Sequence, residues 1–247
     1  MNWIGWATGN PLLVGMLGLW ILAMLIGIAY AIARVLPKET IWPLLFTVAM
    51  HFMSYLLPRV LPLPIAPHKL ALPIDSWIPF FPPMISVYLL AYVQWAHYWI
   101  GIGLEDRTLR SRSLAGEWIA KGICALAFVF FPTTMARPAV TGTTGFDRLV
   151  SLVYLLDAPT NLLPSMHCLQ SWLVLRVTLQ MRHVPSWYKP CTVVFSLLVI
   201  ASTILVKQHV VLDLPTAILA AEFGLWLAPR VKFDRVYARW EERLSRR

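Results

Sequence analysis

The sequence predicts an all-α fold, a polytopic bundle of six to seven transmembrane helices packed around a core of motif-bearing helices. Hydrophobic residues make up 58% of the 247 positions and charged residues only 13%, and the mean hydropathy is +0.65. So few charges do not cover a water-soluble globule of this length. Several apolar runs also approach the ~17–25 residues that a helix needs to cross ~30 Å of hydrocarbon. The chain is therefore expected to be an integral membrane protein.

Seven apolar runs are the candidate spans. They cover residues 11–35, 41–57, 83–104, 117–131, 164–181, 191–206 and 210–228. The second and fourth runs are short, so six or eight crossings also remain open. Residues 149–156 are too few to span as a helix and are expected at the interface or as a re-entrant piece. Segment 58–83 carries eight of the 19 prolines, which predicts an extended outer loop, either a connector or a cover beside the site.

The distribution of basic residues predicts the orientation. If seven helices begin outside, 16 of the 21 Lys and Arg residues fall in inner segments and five in outer ones. The positive-inside rule then favours an outer N-terminus and a cytoplasmic C-terminus. Residues 1–229 are expected to form one membrane-embedded catalytic domain with its motif-bearing core at 116–229. Residues 230–247 are expected to form a basic, amphipathic, interfacial tail. Because the orientation in the membrane accounts for the surplus of positive charge, no nucleic-acid partner is expected.

Polar residues recur at three ends of the predicted helices that this topology places on the outer face. They lie in "FPTTMARP", "LPSMHC" and "KQHVVLD". Ionisable groups are costly at membrane depth, so such a cluster predicts a functional site. His209 and Asp213 would share a helix face, where the carboxylate fixes the imidazole tautomer and leaves the other nitrogen nucleophilic. His167, at a helix N-terminus, can protonate a leaving oxygen.

Phosphate-binding groups are expected beside these histidines. Arg137 offers a planar fork suited to phosphate, and Ser165 is expected both to cap the helix and to contact phosphate. Asp157 and Asn161 border the site, where a turn and a substrate contact are equally good interpretations. The cysteines and histidines form no metal-ligand pattern, so no metal and no cofactor is expected. His51, His68, His97 and His183 are interpreted as structural, and Arg176 with Glu222 as a structural ion pair.

Three motifs resemble the signature motifs of the phosphatidic-acid-phosphatase type 2 superfamily of membrane enzymes. They are "RP" at 137–138, "PSMH" at 164–167 and "HVVLD" at 209–213, and the resemblance covers roughly residues 130–224. It implies a covalent mechanism without metal, in which His209 attacks phosphorus, Asp213 orients it and His167 protonates the leaving group. Water or another alcohol then resolves the phosphohistidine.

The chain departs from the phosphatase pattern at two cations. Phe130 stands where that pattern has a Lys, and Thr203 stands where it has an Arg. Lys207 and Arg148, both on the predicted outer side, are expected to restore positive charge. The run "STILVKQHVVLD" is similar to the branch that contains inositol phosphorylceramide synthases and related bacterial proteins. That branch includes transferases.

The expected function is therefore a lipid phosphate phosphatase acting through a phosphohistidine at the outer face of a bacterial cell (inner) membrane. Its expected partners are a phosphorylated lipid substrate and the surrounding membrane lipids. One alternative passes a phosphoryl or phospho-head-group to an acceptor alcohol. A more distant alternative is a non-catalytic lipid transporter or lipid-binding protein.

Overall fold

The computed structural model describes residues 34–60 and 65–246, and within these ranges the chain is mostly helical. The predicted run 11–35 lies outside the described residues except for its last two positions. The helices of the described part are α1 (Lys38–Val60), α2 (Pro73–Trp77), α3 (Ile85–Leu104), α4 (Arg107–Phe130), α5 (Gly145–Leu156), α6 (Met166–Thr178), α7 (Tyr188–Leu205), α8 (Asp213–Arg230) and α9 (Phe233–Ser245). Strands β1 (His68–Lys69) and β2 (Thr133–Thr134) pair in parallel.

Three of the described helices, α1, α4 and α7, are long and apolar enough to cross a membrane. Helices α3 and α8 match two further predicted runs, although α8 carries three charged residues. Helix α6 has only 13 residues, which gives a length of ~20 Å, shorter than the hydrocarbon core. Membrane association is supported, and the number of six to seven spans stays a prediction.

Helix α4 begins ten residues before the predicted start of its apolar run. The carboxylate of Asp106 caps it by accepting the backbone N–H groups of Thr108 and Leu109 at 2.9 and 3.0 Å. Such a cap stabilises a helix start whatever the polarity of the first turns. The apolar run predicted from residue 117 is the second part of this longer helix, whose first turns carry the polar segment "RTLRSRS".

The tightest helix contact joins α4 to α8. A Cβ atom on Gly116 would lie 2.9 Å from the Cα of Leu225, and one on Gly224 would collide with the carbonyl oxygen of Gly116. Small residues allow backbones to approach this closely, as they do between membrane helices. Helix α6 packs against α7 and α8, with Leu169, Leu173 and other side chains fully buried. The core therefore surrounds the helix that carries His167.

As predicted, the proline-rich segment 58–83 does not form one continuous helix, but its described part is not uniformly extended either. Helix α1 continues through Pro58, and the short helix α2 interrupts the loop. Strand β1 ties the loop to the residues that follow α4, and the N–H of Phe81 donates to the carbonyl of Leu205 at 2.9 Å. The segment is thus fastened beside the ends of α4 and α7.

The C-terminal residues form the predicted helix, α9, and its aromatic face packs on the bundle. Tyr237 and Trp240 contact the ring of Trp118, and Glu241 pairs with the buried Arg110 at 2.6 Å. A position of α9 on the inner leaflet stays a prediction. At the same end of the bundle Arg176 pairs with Glu222, which confirms the predicted ion pair.

Candidate active site

His209 lies in a turn between α7 and α8. Lys207 adopts a left-handed conformation with φ 53°, and the N–H groups of Gln208 and His209 both donate to the carbonyl of Thr203, at 2.9 and 3.1 Å. The chain thus reverses direction directly after α7. The expectation that His209 and Asp213 share a helix face is wrong, because α8 begins only at Asp213. A start at this point also leaves Pro215 in the first turn, where proline is tolerated.

The pairing of His209 with Asp213 is present all the same. Nδ1 of His209 lies 2.9 Å from Oδ2 of Asp213, and the N–H of Val210 donates to the same oxygen at 3.1 Å. Asp213 is fully buried, and its Oδ1 has no hydrogen-bond partner among the described residues. Because the carboxylate occupies Nδ1, the other ring nitrogen, Nε2, is left to react.

His167 is the second residue of α6, and aromatic rings fix its orientation. Its ring stacks on that of Tyr88, with centroids 4.0 Å apart, and meets Trp95 edge-on at 4.9 Å. Its Nε2 is buried and makes no hydrogen bond within residues 34–60 and 65–246. Ser165 caps the helix by accepting the N–H of Cys168 at 3.3 Å, and its own N–H donates to the carbonyl of Asp213 at 3.3 Å. The two histidine-bearing motifs are therefore bonded to each other.

Strand β2 holds the loop before α6 in place. The hydroxyl of Thr133 accepts the N–H groups of Leu162 and Leu163, both at 3.0 Å, and the hydroxyl of Thr134 donates to Pro159 at 2.7 Å. These bonds connect the end of α4 to the start of α6. The predicted convergence of three helix ends on one face of the bundle is thus present in the fold.

His167 and His209 line one small cavity of about 60 Å³. Most of the remaining wall is aromatic. The other lining residues are His51, Phe52, Tyr55, Tyr88, Tyr92, Asp157 and Met166. His51, which we interpreted as structural, brings a third imidazole to the wall, and no pattern in the sequence marks it. Asp157 also belongs to the wall, where its carboxylate accepts the hydroxyl of Tyr55 at 2.5 Å.

Arg137 does not line the cavity itself, but it bonds Asp157 in the cavity wall and Gln208, the neighbour of His209. Its guanidinium donates to the carbonyl of Asp157 at 2.5 Å and to the side-chain oxygen of Gln208, and it lies over the ring of Tyr154 at 4.6 Å. Its Nε is buried without a partner in the described part of the chain. Burial lowers the pKa of the Arg137 guanidinium and Asp157 raises it, and an arginine remains charged under such influences.

Neither of the two residues expected to replace the missing cations lines this cavity. Lys207 donates to the carbonyls of Asp75 and Ile78 at 2.9 and 2.6 Å, so its ammonium group holds the proline-rich loop. It lines a second pocket, of about 400 Å³, together with His209. Arg148 is exposed on α5 and is not part of the cavity wall. Phosphate binding by Lys207 and Arg148 stays a prediction.

Neither Phe130 nor Thr203 lines the cavity. Phe130 is 70% exposed at the end of α4. Thr203 is fully buried, and its hydroxyl donates to the carbonyl of Ile200 at 2.7 Å. An arginine at Thr203 would place an unpaired charge among packed side chains, which is strongly destabilising.

Among the described residues, no group of three or more His, Cys, Asp or Glu side chains is arranged to hold a metal ion. Comparison of the chain with family models, curated proteins and solved structures finds no match. The function is therefore inferred from the residues and geometry of the site.

Proposed function

We propose that the protein is an integral-membrane lipid phosphate phosphatase that works through a phosphohistidine intermediate. The observation that supports this most is the common cavity of His167 and His209, with Asp213 bonded to Nδ1 of His209. An oriented nucleophile and a second imidazole beside it are the groups that a metal-free phosphoryl transfer needs. The resemblance of the three motifs to the type 2 phosphatases agrees with this assignment.

The reaction proceeds in two steps. Nε2 of His209 attacks phosphorus, the bond from phosphorus to the leaving oxygen breaks, and Nε2 of His167 donates its proton to that oxygen. Water then attacks phosphorus while His167 takes its proton, and the electron pair of the phosphorus–nitrogen bond returns to His209. Asp213 stabilises the positive charge that develops on the His209 ring.

The proposed location is a cell membrane, with the site at the outer leaflet and the C-terminus inside. Three apolar helices and the surplus of basic residues in the predicted inner segments support it. His167 and His209 share the cavity at one end of the bundle, and the pair of Arg176 with Glu222 lies near the other. If the chain crosses the membrane six or seven times as predicted, the cavity lies near the headgroups of the outer leaflet.

Transfer to an alcohol is the second candidate. Phe52, Tyr55, Tyr88 and Tyr92 enclose much of a cavity of about 60 Å³, and a confined site limits the water that reaches a reactive intermediate. That property favours an acceptor alcohol bound beside the phosphohistidine. Adding alcohols to the assay and measuring new lipid against free phosphate separates transfer from hydrolysis.

The deciding experiment compares His209→Gln and His167→Gln with the control His68→Gln. His68 is an exposed imidazole stacked on Phe131, outside the cavity wall. We expect both site variants to lose phosphate release from phosphorylated lipids, and the control to retain it. Radiolabelled phosphate should attach to the wild-type chain and not to His209→Gln. Turnover in a folded His209→Gln protein would refute the mechanism.

Inhibitors provide an independent test. Vanadate can mimic pentacoordinate phosphorus, so it should inhibit the wild-type protein. A chelator should leave the rate unchanged, because the proposed chemistry uses two imidazoles and no Lewis acid. If lipid phosphate binds without turnover under all these conditions, the transporter or lipid-binding alternative is supported instead.

A further inference from the structure

We infer that Arg59 is a phosphate-binding cation of this site and that Asp157 positions it. This inference rests on the proposed function and names a group that the three motifs do not contain. Arg59 lies in the last turn of α1, more than 70 residues before the first motif. Two cavity-lining side chains hold its guanidinium: NH1 donates to Oδ1 of Asp157 at 2.7 Å and to the hydroxyl of Tyr55 at 3.2 Å.

Two guanidinium groups converge on Asp157. Arg59 bonds its carboxylate, and Arg137 bonds its backbone carbonyl at 2.5 Å. The carboxylate itself lies in the wall of the cavity that His167 and His209 share. Arg59 and Arg137 together balance the two carboxylates of the site, Asp157 and Asp213, so a phosphate group meets no net negative charge there.

Several observations favour Arg59 over the residues expected from the sequence. Lys207 already donates to two loop carbonyls. Neither Arg59 nor Arg148 lines the cavity itself, but Arg59 bonds two residues that do, Asp157 and Tyr55. The side chains of Arg59 and Asp157 are 20% and 28% exposed, so an entering anion can reach them.

Asp157 acts on phosphate binding through Arg59 and is therefore a positioning residue. Its carboxylate keeps the guanidinium at the cavity while the site is empty of phosphate. When phosphate enters, Arg59 exchanges one bond from the carboxylate to a phosphate oxygen. The carboxylate also repels the incoming anion, and this repulsion outweighs its positioning effect, because the hydroxyl of Tyr55 still holds Arg59 when the carboxylate is removed.

The test rests on the opposite effects that replacing Arg59 and replacing Asp157 should have on phosphate affinity. Arg59→Gln and Asp157→Asn both remove the ion pair, so a purely structural pair would lower thermal stability in both and leave phosphate affinity equal. As a phosphate site, Arg59→Gln should weaken the binding of inorganic phosphate at least about tenfold, while Asp157→Asn should strengthen it. Arg59→Lys should lie between Arg59→Gln and the wild type, because lysine keeps the charge but not the fork.

The measurement is the rise in melting temperature of the full-length, detergent-solubilised protein with inorganic phosphate or vanadate, which needs no turnover. Lys69→Gln, which removes an exposed outer cation on β1, is the control and should bind as the wild type does. Folded Arg59→Gln protein with phosphate affinity within twofold of the wild type would overturn the inference. So would a wild-type protein that binds neither anion. Loss of affinity in Arg59→Gln together with full turnover in His209→Gln would uphold the Arg59 site and reject the proposed mechanism.

Discussion

Replacing Asp213 by asparagine removes one negative charge next to His209 and changes almost no volume. Oδ2 of Asp213 accepts from both Nδ1 of His209 and the N–H of Val210, at 2.9 and 3.1 Å. The single oxygen of asparagine can accept both bonds, so the tautomer of His209 is retained. The amide group then lies at the former Oδ1, which has no partner in the described residues. Asp213→Asn therefore tests the negative charge alone, because the hydrogen bonds and the side-chain volume are retained.

The expected loss follows from the separation of the charges. When His209 attacks phosphorus, its ring becomes positive, with its charge centre about 4 Å from the carboxylate. At an effective dielectric constant of ~20, a charge pair at this distance is worth about 4 kcal/mol. Losing this interaction would raise the activation free energy by about the same amount, which lowers the rate roughly 10³-fold, since ~1.4 kcal/mol changes a rate tenfold.

The assay is phosphate release from a phosphorylated lipid by the purified full-length protein, with elution volume and melting temperature as tests of folding. Asp147→Asn is the matched control, because Asp147 is a buried aspartate that caps α5 through Thr144 and does not line the cavity. It should keep the wild-type rate. A folded Asp213→Asn protein that works within about tenfold of the wild type would refute the role of the charge.

Three further substitutions test the packing around the site. Ser165→Ala should cost ~1 kcal/mol of stability through the lost helix cap; denaturant melts measure this, and a fall in turnover beyond about tenfold would reveal the predicted phosphate contact as well. Glu222→Gln should cost less than ~1 kcal/mol, because its pair with Arg176 is more than one-third exposed, and should leave turnover unchanged. Gly224→Leu should destabilise the protein by ~1–3 kcal/mol or more, because its side chain would meet the backbone of Gly116; a melting temperature equal to that of the wild type would contradict the close packing of α4 and α8.

Local patterns in the sequence predicted the helices and part of the site. Long apolar runs gave the positions of α1, α3, α7 and α8 to within a few residues, because hydropathy reports burial in lipid or protein. The pairing of His209 with Asp213 is also close in sequence, so its spacing was readable even though the intervening residues form a turn and not a helix. Serine before a helix likewise predicted the cap at Ser165.

Tertiary packing decided the rest of the cavity. Arg59 and Asp157 are 98 positions apart; the sequence placed Asp157 at the border of the site but marked neither Arg59 nor their pairing. His51 reaches the wall only because α1 packs beside Trp95 and Trp99. Residues that meet across helices leave no local periodicity in the chain, since their contact depends on how whole helices pack and on which end of each helix meets the others. The sequence alone therefore marked His167 and His209 as candidates, and only the tertiary structure decided which residues surround them.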